Sequence, residues 1–351
     1  MRSKILIGIL CATLGTSGIS ARADTIGDST RLSGKMYFDF TQIDQTHSDS
    51  GKTDASGLGL DVKRFYLGID HAFNDVWSAN LTTDFNYVSS DKQTNLLVKK
   101  AYVQGHFSNA AVLRIGSAGT PWIGLVEDYY GYRYVENTLV DRLKFGNSAD
   151  WGLHLGGDLG ASKRFNYAVS MVNGAGYKHA TRSEGMDVVA RVGFVPMQGM
   201  IIAMGTYSGK RGQATQTHNA LHTASRANMM VAYANQALRL GSEYFQAKNW
   251  NTVLTPISDK AVGWSLWGSV NVADDIDVFA RHDHADLSKD IDPTASDTYT
   301  NVGVQLQVSK GFKLAAVYKH EKREGAVAAP LPAHVANTRT NEIGVWGEVK
   351  F

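Results

Sequence analysis

The sequence predicts an all-β fold: a transmembrane antiparallel β-barrel of about sixteen strands, with one long loop folded inward as a constriction. Three observations carry this. Apolar and polar residues alternate at every second position through much of the chain. Short turns alternate with long polar connections. One connection, Ser117 to Asp150, is much longer than the rest and rich in tyrosine.

The first 23 residues read as an export signal. Arg2 and Lys4 precede a short apolar run, Ile5 to Leu14, and Ala21-Arg22-Ala23 has the small-x-small form of a cleavage site. The run is too short for a membrane helix. On this reading residues 24–351 form a single barrel domain. The one cysteine, Cys11, falls in the signal, so no disulfide, thiolate metal site or cofactor is expected. Taking Arg2, Lys4 and Arg22 from the 35 Lys and Arg leaves 32 bases against 33 acids, a net charge of about −1. That balance argues against nucleic acid, which selects a basic surface.

The strands follow from period two. Between Val76 and Tyr87 one face carries Trp77, Ala79, Leu81 and Phe85, and the other Ser78, Asn80, Thr82 and Asp84. Met36, Phe38 and Phe40 oppose Lys35, Tyr37 and Asp39. Phe65, Leu67 and Ile69 oppose Arg64, Tyr66 and Asp70. The same pattern returns at Met186 to Phe194, Phe312 to Lys319 and Glu342 to Phe351. No helical period is evident outside the signal. Average hydropathy is low, as it is for strands that face oil on one side and water on the other.

Seven links are short and built of turn residues: Asn74-Asp75, Ser108-Asn109, Leu159 to Lys163, Pro196 to Gln198, Asn235-Gln236, Ala273-Asp274 and Ser309 to Gly311. Eight are long and polar: Ile43 to Ser56, Val88 to Leu96, Ser117 to Asp150, Gly174 to Glu184, Gly209 to Ser225, Lys248 to Asp259, His284 to Ser296 and Lys322 to Ala336. Seven and eight links join sixteen strands. A sheet this large has to close or split, and closure removes the unpaired edges that a membrane forbids. A ring of that size has a backbone diameter of roughly 30 Å, too wide for its side chains to fill.

The loop from Ser117 to Asp150 is expected to fold into the mouth and narrow it. It holds Glu127, Asp128, Arg133 and Glu136, and a tyrosine run too aromatic for a solvated tail. Arg64, Lys100, Arg114, Arg191, Arg239 and Arg281 lie on polar strand faces near mid-strand. A charge aimed at lipid there costs about 2–4 kcal/mol, so these bases are expected to face the lumen. Opposed rows of acids and bases select solutes by charge without any chemistry. The basic rows suggest a preference for anions, phosphate among them.

The final residues, Trp346-Gly347-Glu348-Val349-Lys350-Phe351, resemble the assembly signal of Gram-negative outer-membrane barrels. Val112-Leu113-Arg114-Ile115-Gly116, followed by Thr120-Pro121, resembles the strand and turn before the constriction loop of porins, including the phosphate-selective porin O and P group. The Pro-Glu-Phe-type signature of the best-known enterobacterial porins is absent, so the resemblance places no pore-lining acid. It implies a water-filled channel in the outer membrane for passive diffusion of small hydrophilic solutes and inorganic ions. It also implies contact with outer-membrane lipid, a homotrimer, and recognition by the barrel-assembly machinery through Phe351.

Three other functions compete with this reading. An enzyme would need a nucleophile, a base and an orienting group, and neither His106 nor His154 is joined to a serine by a motif. A metal site at His282, Asp283, His284, Asp286, Asp290 and Asp292 lacks the spacing of a calcium loop. A structural or adhesin-type barrel is the remaining alternative, and it would not conduct.

Overall fold

The computed structural model describes residues 29–48, 51–53, 55–88, 93–325 and 337–351, with no account of the side chains of residues 86–88 and 93. The expected signal, and with it Cys11, lies outside the described residues, as does the side chain of Tyr87. The strands in chain order are β1 (Thr30–His47), β2 (Gly51–Lys52), β3 (Gly57–Ala72), β4 (Trp77–Val88), β5 (Gln93–Ser108) and β6 (Ala111–Gly119). Two helices follow, α1 (Ile123–Tyr130) and α2 (Leu139–Arg142). Then come β7 (Ala149–Leu159), β8 (Phe165–Val172), β9 (Asp187–Phe194), β10 (Met200–Gly209), β11 (Ala224–Ala234) and β12 (Leu238–Lys248). The chain ends with β13 (Lys260–Ala273), β14 (Ile276–Asp286), β15 (Ser296–Ser309), β16 (Phe312–Glu324) and β17 (Thr338–Lys350).

Each strand pairs antiparallel with its neighbours, and β1 pairs with both β3 and β17, which closes the ring. The two-residue β2 only extends β1 at the first long loop, so sixteen strands form the wall. Phe351 completes the closure, its N–H donating to Gly34 O at 3.0 Å. The seven short links fall between the strands expected to flank them, and parts of the long links Ile43 to Ser56, Val88 to Leu96 and Lys322 to Ala336 lie outside the described residues. Alternation holds on the outside: Leu81, Ile115, Leu153, Leu240, Leu266 and Val304 are exposed to the surrounding medium. Near the short turns, Trp77 meets Phe107 at 5.6 Å and Phe165 stacks on Phe194 at 4.9 Å, as rings at a membrane interface do. Among the described residues no helix is long and apolar enough to cross a membrane. The crossing is made by strands.

Register shifts beside the short turns at His106–Ser108, Asn271–Ala273 and Gln307–Ser309 are joined by two within the wall. Between β1 and β3, Tyr37 faces Arg64 but Phe38 faces Val62, so Lys63 is an extra residue. Between β4 and β5, Thr82 faces Lys100 but Thr83 faces Val98, so Lys99 is extra. Each is a β-bulge, which lets two consecutive side chains serve one face.

The long loop contains helix, which the sequence reading did not anticipate. In α1 the buried residues Ile123, Val126 and Tyr130 share one face. Two turns are too few for a period to stand out. No side chain caps the start of α1, and the chain leaves it at Gly131, whose φ of 82° requires the left-handed region and whose N–H donates to Glu127 O at 2.9 Å. The helix is held by what it packs on, not by its own propensity.

Candidate functional site: the passage beside the infolded loop

The loop enters the lumen and packs against the inner faces of β11 to β14. Trp122 leads, its indole Nε1 donating to Glu243 Oε1 at 2.6 Å on β12. Tyr132 stacks on Phe279 at 4.1 Å, and Phe145 meets Phe245 at 4.8 Å. Met230, Trp267 and Phe279 are buried although they point inward, because the loop covers them. The inner faces of β11 to β14 are thus part of an apolar core, an exception to the polar-inside rule that the loop makes affordable.

Ion pairs fasten the second half of the loop. Arg142 donates to Asp297 Oδ1 at 2.6 Å and Glu321 Oε1 at 2.6 Å, and its guanidinium lies 3.2 Å from Asp283. Arg281 pairs with Asp283 at 2.6 Å and donates to Asn137 O at 2.6 Å. Glu136 lies 3.3 Å from the Lys319 ammonium. Burial works against the Glu136 carboxylate, but Lys319 and Arg142 outweigh it and hold the pKa down to about 2. Arg239 donates to Asp128 O at 3.0 Å and Tyr129 O at 3.1 Å at the end of α1. The side chain of Asp128 is itself pushed above the usual carboxylate range by burial and then by neighbouring Glu127.

What the loop leaves open is a cavity of about 530 Å³ against β1, β3, β4 and β5. Its lining holds five bases, Lys35, Lys99, Lys100, Arg133 and Lys350, and two acids, Asp70 and Glu127. Arg133 pairs with Glu127 at 2.6 Å, and Lys350 with Glu348 at 2.7 Å. Asp70 accepts from Asn80 at 2.7 Å. Lys35, Lys99 and Lys100 have no carboxylate at ion-pair distance among the described residues. Lys99 instead donates to the Tyr66 hydroxyl at 3.2 Å and lies 4.6 Å from the centre of that ring. Uncompensated cations in a low-dielectric groove create a positive field through the open space.

The residues singled out from sequence therefore divide. Glu127, Arg133 and Lys100 meet at the cavity. Arg64 stands near it on β3, paired with Asp84 at 2.7 Å. Arg114 donates to Gln104 at 2.7 Å and lies 5.5 Å from the ring centre of Tyr102, a lining residue. Arg191 donates to Asn166 at 2.5 Å on the neighbouring strand and is not part of the cavity. Arg239, Arg281 and Glu136 are placed differently from the expectation: they face the lumen but hold the loop, because the loop occupies the space in front of them. Lys35, Lys99 and Lys350 were not singled out. Lys35 was visible on a polar face. Lys99 was hidden by its bulge, although the pair Lys99-Lys100 is itself a signal, since strict alternation would send one of the two into lipid. No group of three or more His, Cys, Asp or Glu side chains is arranged to hold a metal among the described residues, and the His282 to Asp292 stretch forms no such group.

Comparison with known proteins agrees with this architecture. Residues 31–127 match the family described as phosphate-selective porin O and P. Compared with curated protein sequences, the chain has no match. Among solved structures it is similar to the anion-selective porin from Comamonas acidovorans, with a TM-score of 0.61 and 15% identity, over 92% of this chain and 99% of that one. It is similar to Salmonella typhi OmpF in complex with daunomycin, at 0.60 and 11%, over 92% and 97%. It is also similar to the trimer form of in-vitro folded OmpT of Vibrio cholerae, at 0.55 and 14%, over 92% and 100%. In its sixteen-stranded closure and its infolded loop the chain has the fold of the Gram-negative outer-membrane porins, and over residues 31–127 it resembles the phosphate-selective O and P family among them.

Proposed function

We propose that the protein is an outer-membrane channel through which small hydrophilic solutes and ions diffuse passively, with a preference for anions, and that it works as a homotrimer. No chemical step is needed. The loop sets the width, and the charge around the remaining space sets the preference. The observation that carries this is the imbalance of five bases to two acids at the cavity, with no carboxylate at ion-pair distance from Lys35, Lys99 or Lys100 among the described residues. An anion entering there replaces its water with ammonium and tyrosine hydroxyl groups. Several separate cations, rather than one tight cage, hold it weakly enough to release it.

Phosphate is the anion that the resemblance of residues 31–127 favours. The trimer is supported by the trimer form of the similar OmpT. Reversal potentials across a planar bilayer in a potassium chloride gradient test the anion preference. The purified protein should favour chloride, and Lys99→Gln with Lys100→Gln should lower the chloride-to-potassium ratio several-fold. A cation preference in the unaltered protein would overturn the reading. Millimolar phosphate should reduce the chloride current if phosphate uses the same groups, and an unchanged current would remove phosphate from the proposal.

A further inference from the structure

The cavity of about 530 Å³ is lined unevenly along the strands. Toward mid-wall it is cationic. Lys350 faces Lys35, Lys35 faces Tyr66, and Lys99 joins them from its bulge. Two residues nearer the short turns, Ser33 faces Gly68, Gly68 faces Thr82, and Thr82 faces Lys100. Two residues further, Asp70 faces Asn80, and the lining there holds no cation. Asp70 has no cation at ion-pair distance among the described residues, Arg31 opposite it on β1 included. One end of the space is therefore made of ammonium groups and the other of hydroxyl, amide and carboxylate.

The second end is ordered. Thr82 Oγ1 donates to Asn80 Oδ1 at 2.9 Å, and Asn80 Nδ2 donates to Asp70 Oδ1 at 2.7 Å. This run fixes the amide and leaves Asp70 Oδ2 without a hydrogen-bond partner among the described residues. Gly68 keeps the floor between the two ends low, since a Cβ there would come within 2.7 Å of Ser33 Oγ. A carboxylate at this place repels a bare anion, but it is a strong acceptor for hydroxyl groups. The volume points the same way. A water molecule claims about 30 Å³ of liquid, so an ion of four oxygens fills a small part of the space. Its size is that of a site for a small organic molecule.

We infer that the cavity selects a phosphate ester of a small polyol, a sugar phosphate in size, with its phosphate at Lys35, Lys99 and Lys100 and its hydroxyls at Asp70, Asn80 and Thr82. The inference rests on the anion passage proposed above and names the solute class it serves. The two ends suit one molecule. Lys100 and Thr82 stand one step of two residues, about 7 Å, from Asn80 and Asp70, which is the reach of a short sugar from its phosphate. A neutral sugar gains nothing from the ammonium end, and inorganic phosphate gains nothing from the hydroxyl-binding end. Only a molecule carrying both groups uses the whole lining.

The test is block of the chloride current through the purified protein in a planar bilayer, at about pH 8 so that every phosphate carries two charges. Glucose 6-phosphate, inorganic phosphate, phenyl phosphate and glucose are compared. Glucose 6-phosphate should halve the current at a concentration at least about five-fold below that of inorganic or phenyl phosphate, as two or three net hydrogen bonds require. Glucose alone should not block. Asn80→Ala with Thr82→Val should bring glucose 6-phosphate and inorganic phosphate to within about two-fold of each other. Equal block by glucose 6-phosphate and inorganic phosphate in the unaltered protein would overturn the inference and leave the anion passage standing. So would phenyl phosphate matching glucose 6-phosphate, or an advantage that the double variant keeps. These comparisons of solutes in the unaltered protein decide even where the variant fails to insert. A cation preference, with no block by any of the phosphates, would remove both readings.

Discussion

Arg142 shows what one side chain does in this barrel. Its guanidinium meets Asp283, Asp297 and Glu321, and lies 4.5 Å from the ring centre of Tyr299. Arg281 and Arg323 share the same carboxylates, so three bases balance three acids, with Arg142, Asp283 and Asp297 buried and Arg323 and Glu321 partly open to water. Such a cluster adds little net stability over an apolar equivalent, but breaking it leaves a buried charge uncompensated, at about 3–5 kcal/mol. Arg142→Met should therefore loosen the loop while leaving the barrel closed. Proteolysis between Leu139 and Asp150 in the folded protein should rise, and single-channel current should become noisier. A variant with unchanged cleavage and quiet current would show that the apolar contacts of Tyr132 and Phe145 hold the loop unaided.

At the scale of an element, the loop from Ser117 to Asp150 joins an apolar half to an ionic half. Trp122 to Tyr130 docks mainly by burial, with one hydrogen bond from Trp122 to Glu243. The segment from Glu136 to Arg142 docks by charge, which depends on pH. Glu136 titrates near 2 in the folded protein and near 4.5 when free, so its contribution is complete above about pH 4.5 and is lost as pH falls toward 2. Current noise should rise across that window and recover on return to neutral pH. Glu136→Gln should be noisier at neutral pH and respond less to acid, and an identical acid response in the variant would assign the effect to another group. The bulge in β5 is the second element that matters. By placing Lys99 and Lys100 on one face it doubles the charge that a regular strand would offer the passage.

For the whole molecule, the lumen is shared between a packed side and an open side. Loop and wall fill the space in front of β11 to β14 with a core, and the cavity of about 530 Å³ lies against β1 and β3 to β5. A barrel of this strand number without its loop is an aqueous tube. Joining Thr120 to Asn147 through a short glycine linker should raise single-channel conductance by at least about three-fold and weaken the ion preference, because Glu127 and Arg133 leave with the loop. Equal conductance with and without the loop would mean that the narrowest point lies elsewhere. The long-loop rim is tied together differently. Asp150 accepts from Gly174 N and Gly176 N at 3.1 Å, and Asp187 accepts from Lys210 N and Arg211 N at 2.7 and 2.8 Å. Each of these carboxylates fixes the foot of the next long loop.

The sequence by itself determined the barrel, its sixteen strands, the side on which the long loops lie and the loop that turns inward. These follow from periods and turn residues, which are local, and from the cost of charge or open backbone in lipid, which applies at every position alike. Glu127 and Arg133 were legible for the same reason, being charged residues on the one segment that had to enter the lumen. Only the tertiary structure decided which half of the lumen the loop fills. That depends on pairs such as Arg142 with Asp297 and Trp122 with Glu243, far apart in the chain and without a shared local pattern. It also turned Arg239, Arg281 and Glu136 from candidate pore charges into loop anchors, and brought Lys99 into the passage through one extra residue in a strand. Where a single inserted residue or a distant partner changes what a side chain faces, local pattern carries no record of it.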